Sequence, residues 1–458
     1  MKRAILQKLY AYLRNHQFLS LASNITVAFF NVVSVALLFR VLPVHEIGMW
    51  VFFSSSVGLA DSFRAGFLIT ALIRTCAGAS VQRTKEAVGS AWVIALCITA
   101  ILALLNLAVW SVYKHVPDGD MALLLRWFGI ALVATLPSFM TISLAQASMR
   151  FDRILYVRLF SQGLFVFNII LLLLTKTTTL DNVVYCYVLS SVITSLFTLI
   201  LGWTDLRALR HRTKACIQEF VHFGKYNVGS YVCTSLLRSS DTLLINFVLG
   251  PTALAVYNLA GRFSEVIEIP LRSIIVATAP TLAAAFNQQR LDVVADVLRR
   301  KAGILTWLFT PVILGIILLA DMPILLIGGL KYQHTEAANL LRISMAMALL
   351  YPIDRFVGVT LDVLNRPQLN LIKVLLMLFV NIAGNIVALT VSKGVYGVAL
   401  VSVVTLLVGF GFEYFQLKKF LKISFLHIIS SGLKETQEVI NRILAKPVEL
   451  TTEQNQLK

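Results

Sequence analysis

The chain has 458 residues, 58% of them hydrophobic and 14% charged, with a formal net charge of +17. A soluble domain carries roughly 25% charged residues, so this composition excludes a soluble domain and reads as an all-α, multi-pass membrane protein. The positive charge is then the surplus of Lys and Arg that cytoplasmic loops collect, and no nucleic-acid partner is expected.

The first element, residues 1–19, alternates Lys2, Arg3, Lys8 and Arg14 with Ile5, Leu6, Leu9 and Leu13. That pattern predicts an amphipathic helix on a cytoplasmic membrane face, with no cleavable signal peptide. A span needs ~20 mostly apolar residues. Twelve stretches qualify: 20–41, 46–70, 87–113, 122–148, 155–174, 182–203, 224–249, 253–276, 302–320, 336–357, 368–390 and 394–416. Basic residues crowd every second connection. Arg83 and Lys85 follow span two, Arg150 and Arg153 span four, and Arg207, Arg210 and Arg212 span six. Arg299, Arg300 and Lys301 follow span eight, Arg366 span ten, and Lys418, Lys419 and Lys422 span twelve. The other connections hold little charge (Lys114 beside Asp118 and Asp120, Lys176 beside Asp181, Lys331, Lys393). By the positive-inside rule both termini are cytoplasmic.

The basic stretch 204–223 divides the spans into six-helix sets at 20–203 and 224–416. The tail, 417–458, is not a further span. Ile423, Leu426, Ile429 and Leu433 predict an interfacial helix, and the last dozen residues read as disordered. Five scattered cysteines without a C-x-x-C, and histidines without an H-E-x-x-H, point to neither a disulfide framework nor a metal site. No P-loop is present, and no cofactor is expected.

Several spans carry charge. Asp61 and Arg64 lie in span two, Arg238 and Asp241 in span seven, and Arg262, Glu265, Glu268 and Arg272 in span eight, where Pro270 permits a kink. Asp354 lies in span ten. An ionised group in hydrocarbon costs at least ~3 kcal/mol, so such side chains usually face a bundle interior or a watery path.

The two sets share a pattern. Val41-Leu42-Pro43 leads to Ile47-Gly48, and 207 residues on, Val248-Leu249-Gly250 leads to Leu254-Ala255. The same offset pairs Asp61 with Glu268, each followed by an arginine, Arg64 at three and Arg272 at four residues. Both spacings put the pair on one helix face. This reads as a parallel repeat.

Leu38-Phe39-Arg40-Val41-Leu42 with Ile47-Gly48 and Ser54 to Gly58 resembles polysaccharide flippases of the Wzx type. Their superfamily includes the MATE multidrug exporters and the lipid II flippases. Arg238-x-x-Asp241-Thr242-Leu243-Leu244-Ile245, Leu249-Gly250-Pro251, Ala255-x-Tyr257-Asn258-Leu259-Ala260 and Pro280-x-Leu282-Ala283 are similar to that family's seventh and eighth spans. The resemblance implies twelve transmembrane helices in two six-helix lobes around a central cavity. It also implies a bacterial inner-membrane flippase, not an enzyme, moving a polyprenyl-diphosphate-linked oligosaccharide for O-antigen, capsule or exopolysaccharide synthesis. Lipid II flippases usually carry two further spans, which this chain lacks.

A diphosphate wants arginine, whose fork matches phosphate oxygens. The candidates are Arg64, Arg238, Arg262 and Arg272, with Asn381 and Asn385, four apart on one face, for sugars. Asp61, Asp241, Glu265, Glu268 and Asp354 read either as ion pairs or as sites for a coupling proton or sodium ion. Expected partners are the lipid-linked oligosaccharide, membrane lipids and a polysaccharide polymerase. The competing readings are a cation-coupled MATE-type drug exporter and a membrane-embedded polymerase or ligase. The last needs a large outer loop, and every such loop here is short.

Overall fold

A computed structural model describes residues 16–76, 79–112, 119–392, 394–421 and 423–444. Most of the amphipathic segment expected at residues 1–19 lies outside them, as do Lys114, Asp118, Lys393, Lys422 and the last dozen residues. Among the described residues every regular element is helical. They are α1 His16–Val41, α2 Val44–Cys76, α3 Val81–Val112, α4 Asp120–Ala147, α5 Phe151–Leu174, α6 Leu180–Ile200, α7 Lys214–Leu249 and α8 Pro251–Arg262. Then follow α9 Ser264–Asn287, α10 Leu291–Leu318, α11 Asp321–Gly328, α12 Ala337–Ala348, α13 Tyr351–Val363, α14 Pro367–Ser392, α15 Val395–Leu417 and α16 Phe425–Leu444. Short 3-10 turns occur at Leu206–His211 and Leu330–Tyr332.

Ten of the described helices are long and apolar enough to cross a membrane, against the twelve expected spans. The difference is local. Span one is represented by the shorter apolar stretch Thr26–Val41. Span ten is two helices, α12 and α13, and Pro352, which has no N–H to give, lies in the first turn of α13, where none is needed. Span eight is likewise divided, but at Phe263, not at Pro270. Val266 N–H donates to the Phe263 carbonyl at 3.1 Å in a tight turn, and α9 continues through the proline. Several basic residues expected in loops lie on long helices instead: Arg83 and Lys85 near the start of α3, Arg153 near the start of α5, and Arg299 and Arg300 in the third turn of α10. The basic linker is short for the same reason. Thr213 caps α7 by accepting from Cys216 N–H at 3.3 Å, so the helix begins at Lys214.

The chain divides into two compact units, one of residues 1–259, 324–337 and 378–401, the other of 260–323, 338–377 and 402–458. In the first, α2 is central and packs against α3, α4 and α7. It buries Ile47, Phe52, Phe53, Val57, Leu68 and Leu72. A Cβ on Gly48 would fall 1.7 Å from the Pro251 carbonyl oxygen, so only glycine fits where α2 begins against α8. The turns at Leu42–Pro43 and at Gly250, whose φ is +86°, start α2 and α8 at equivalent points of the predicted repeat. A reciprocal clasp ties the α1–α2 turn to the segment 326–331. Arg40 Nε and Nη2 donate to the Leu326 carbonyl at 3.0 and 2.6 Å, while Lys331 Nζ donates to the Leu42 carbonyl.

In the second unit α10 packs against α9, α13 and α16. The predicted tail helix exists as α16, but it docks through another face. Ile428 is buried and Leu426 is 76% exposed. A Cβ on Gly303 of α10 would lie 2.4 Å from the Ile428 carbonyl oxygen and 2.7 Å from Gly432 Cα. Trp307 Nε1 donates to the Ile429 carbonyl at 2.9 Å.

Candidate functional site

α2 and α7 together place polar groups inside the first unit. Asp61, Ser62, Ala65, Phe139, Tyr231, Thr234, Ser235 and Arg238 line a cavity of about 490 Å³. Arg238 is exposed there and makes no ion pair among the described residues. It does not pair with Asp241, three residues on. Asp241 instead accepts from Asn381 Nδ2 at 3.0 Å, Asn385 Nδ2 at 2.6 Å and the Tyr257 hydroxyl at 2.7 Å. Ser240 completes the network, donating to Asn381 Oδ1 at 2.6 Å. Asn381 and Asn385 are both buried, and Asn385 Oδ1 has no hydrogen-bond partner. The two amides share a face, as their spacing predicts, and that face is turned to an internal carboxylate rather than to the cavity lining.

Arg64 is enclosed. Its side chain is 0% exposed and pairs with Asp61, which is 37% exposed on the cavity. Its Nη groups also reach the Leu132 carbonyl at 3.0 Å, Thr135 Oγ1 at 3.1 Å and Thr99 Oγ1 at 3.4 Å. The guanidinium also lies 5.1 Å from the Phe139 ring centroid. Both Nη groups are taken, and the buried Nε has no hydrogen-bond partner, so little of this arginine is left for a ligand.

The second unit holds an unbroken run of charges. Arg272 pairs with Glu268 across one turn of α9, and Arg355 Nη2 of α13 reaches the other oxygen of Glu268 at 3.2 Å. Arg355 Nη1 is 4.0 Å from Asp354 Oδ2. Lys373 Nζ of α14 donates to Asp354 Oδ1 at 2.9 Å and to Glu413 Oε2 of α15 at 2.7 Å. The two ends of the run differ in exposure: Arg272, Glu268 and Arg355 are 57%, 19% and 44% exposed, whereas Asp354, Lys373 and Glu413 are 2%, 10% and 1%. Two glycines leave room for it. A Cβ on Gly358 would lie 3.3 Å from Glu413 Oε1, and one on Gly409 3.1 Å from Lys373 Cε. Arg262 stands apart, 3.4 Å from Glu265.

The sequence reading singled out Glu268, Arg272 and Asp354 but not Arg355, Lys373 or Glu413. Lys373 and Glu413 sit near span ends, where a charge ordinarily reaches for the interface. The available signal was opposite charges in three successive spans, ten to twelve. Among the described residues no group of three His, Cys, Asp or Glu side chains is arranged to hold a metal ion.

Solved structures share this fold. An inward-facing multidrug resistance MATE family transporter of the MOP superfamily aligns with a TM-score of 0.68 at 14% identity, covering 88% of this chain and 98% of its own. The lipid II flippase MurJ, in an inward closed conformation, aligns with a TM-score of 0.68 at 14% identity over 95% of this chain and 93% of its own. A MOP superfamily transporter from Pyrococcus furiosus, whose reverse-polarity binding pocket suggests a different function, aligns with a TM-score of 0.59 at 15% identity, covering 90% and 98%. No curated protein sequence matches the chain significantly. The profile of a family described as polysaccharide biosynthesis protein matches residues 37–337, well over half the chain. The chain is a multi-pass, all-helical membrane protein with a MATE- and MurJ-like fold, and it belongs to the polysaccharide biosynthesis protein family.

Proposed function

We propose that the protein is a flippase that carries a polyprenyl-diphosphate-linked oligosaccharide from the cytoplasmic to the periplasmic leaflet of a bacterial inner membrane, through twelve spans in two six-helix lobes. The observation that carries this reading is the cavity of the first unit. It presents one arginine, Arg238, outside any ion pair of the described residues, among Ser62, Thr234, Ser235 and Tyr231 hydroxyls and the Phe139 ring. An unpaired guanidinium suits a phosphate. Hydroxyls and an aromatic face suit sugars. Membership of a polysaccharide biosynthesis family and a fold shared with a lipid II flippase support the same substrate class. A cationic drug would meet Arg238 as a like charge, which disfavours the drug-exporter reading.

Asp241 is the carboxylate we assign to a coupling proton or sodium ion. It gathers amide and hydroxyl groups around it, and the unpartnered Asn385 Oδ1 adds an oxygen of the kind hard cations select. A polysaccharide polymerase is the expected protein partner.

The test is complementation of a flippase-null strain, reading surface polysaccharide, with protein level followed by blot. Wild type should restore polymer, and Arg238→Ala should abolish it at normal protein level. Arg238→Lys should restore it only in part, because lysine keeps the charge but loses the fork. Normal export by Arg238→Ala would remove this cavity from the transport path. Reporter fusions after Thr213, Gln289 and Leu450 should each read cytoplasm, and one periplasmic signal would break the twelve-span map.

A further inference from the structure

We propose that Arg272 and Arg355 form a diphosphate cradle in the second unit, in which Glu268 holds the place of the phosphate until substrate displaces it. The proposal rests on the flippase reading for its substrate class, and on the geometry of the charge run for its site.

A carboxylate held between two guanidinium groups is the arrangement a phosphoryl group adopts between two arginines. Each Glu268 oxygen takes one arginine, Oε2 from Arg272 and Oε1 from Arg355. A diphosphate brings more oxygens and more charge to the same two forks, and it matches guanidinium geometry at least as well.

The distribution of charge supports ligand exchange over a static tie. Counted as a whole, the run is neutral, with three cations and three carboxylates. It is not neutral along its length. The half-exposed end carries two arginines against one glutamate. The buried end carries Asp354 and Glu413 against one lysine. The accessible end therefore has a positive charge in excess, and the compensating negative charge is locked inside. An ion-pair ladder built for stability alone would match charges one to one at each level. This one leaves its surplus cation at the more exposed end.

The buried end has its own part. Asp354 stands 4.0 Å behind Arg355 and is held in turn by Lys373, which Glu413 also anchors. Arg355 is thus aimed from behind by a group that cannot reorient. When Glu268 swings away, the arginine stays. Asp354, Lys373 and Glu413 act on substrate only through Arg355 and are positioning residues.

The experiment measures binding of inorganic pyrophosphate, and separately of polyprenyl diphosphate, to the full-length protein in nanodiscs by calorimetry. Arg355→Ala and Arg272→Ala should each weaken pyrophosphate binding about tenfold to a hundredfold, the loss typical of one charge-assisted hydrogen bond. Arg355→Lys, which keeps the charge and guards against a misfolded variant, should recover only part. The distinctive result is Glu268→Gln. It should tighten binding several-fold, since the competing carboxylate is gone. A purely structural Glu268 would lose affinity or leave it unchanged. Tighter binding of the polyprenyl form would identify the lipid-linked diphosphate as the source, and equal binding would identify the diphosphate group alone. No pyrophosphate binding by wild type at millimolar concentration, or unchanged binding in both alanine variants, overturns the cradle. Failure here with Arg238-dependent complementation intact leaves the flippase reading standing. Glu268-modulated binding without complementation does the reverse.

Discussion

Asp61–Arg64 and Glu268–Arg272 occupy equivalent places in the predicted repeat, yet the two pairs live differently. Arg64 is wholly enclosed by a carboxylate, two threonine hydroxyls, a main-chain carbonyl and a ring face. Arg272 is 57% exposed and shares its carboxylate with a second arginine. An arginine in an apolar helix is therefore not in itself a substrate ligand. The number of partners it has already taken decides. By that measure Arg64 is a strut, and Arg238, Arg272 and Arg355 are the cations we propose as ligands.

The contrast can be broken most sharply at Arg64. Arg64→Ala strands Asp61 and several polar groups in a packed helix interface. Removing one partner of a buried pair costs roughly 3–5 kcal/mol, and the lower end applies because Asp61 keeps contact with the cavity. The expected outcome is a large fall in thermal stability in detergent and in protein level. The double variant Asp61→Asn with Arg64→Met should recover most of that stability, since replacing both members is often near neutral. If Arg64→Ala melts like wild type but exports nothing, the strut reading is wrong.

Arg272→Ala should act the other way round. Its exposed pair contributes under about 1 kcal/mol to stability, so the melting temperature should barely move while export falls. A melting shift as large as that of Arg64→Ala would make the two pairs alike. The smallest effect belongs to Glu265→Gln. Glu265 and Arg262 are 44% and 31% exposed and 3.4 Å apart, so stability should change by well under about 1 kcal/mol. Export should stay close to wild type, and a clear loss would bring Arg262 back among the substrate ligands.

Much of the architecture was legible because hydrocarbon imposes simple rules. Apolar length located most spans, and a shared motif marked the turns at Pro43 and Gly250 that start α2 and α8. The i,i+3 and i,i+4 spacings foretold the Asp61–Arg64 and Glu268–Arg272 pairs. Helix seams were harder. Pro270 drew attention, but the chain breaks at Phe263, where no residue type announces it. Contacts between distant spans were hardest. Asp354, Lys373 and Glu413 come from three helices, and no single helix period relates them. Asn381 and Asn385 shared a face as expected, but only the fold shows that this face meets Asp241.

The clasp between the α1–α2 turn and the segment 326–331 has an unusual economy. Both of its donors are side chains, Arg40 and Lys331, and both acceptors are main-chain carbonyls, of Leu326 and Leu42. An acceptor of that kind is written into the backbone, so no substitution at Leu42 or Leu326 short of a local refold can delete it. The clasp also joins cations to neutral carbonyls, so it holds no attraction between opposite charges for salt to screen, unlike the carboxylate between Arg272 and Arg355. The joint is therefore mutable at only two positions, and either cation alone still leaves one tie in place. It should be less sensitive to ionic strength than the charge run of the second unit, and slower to erode by random mutation than a pair whose donor and acceptor are both side chains.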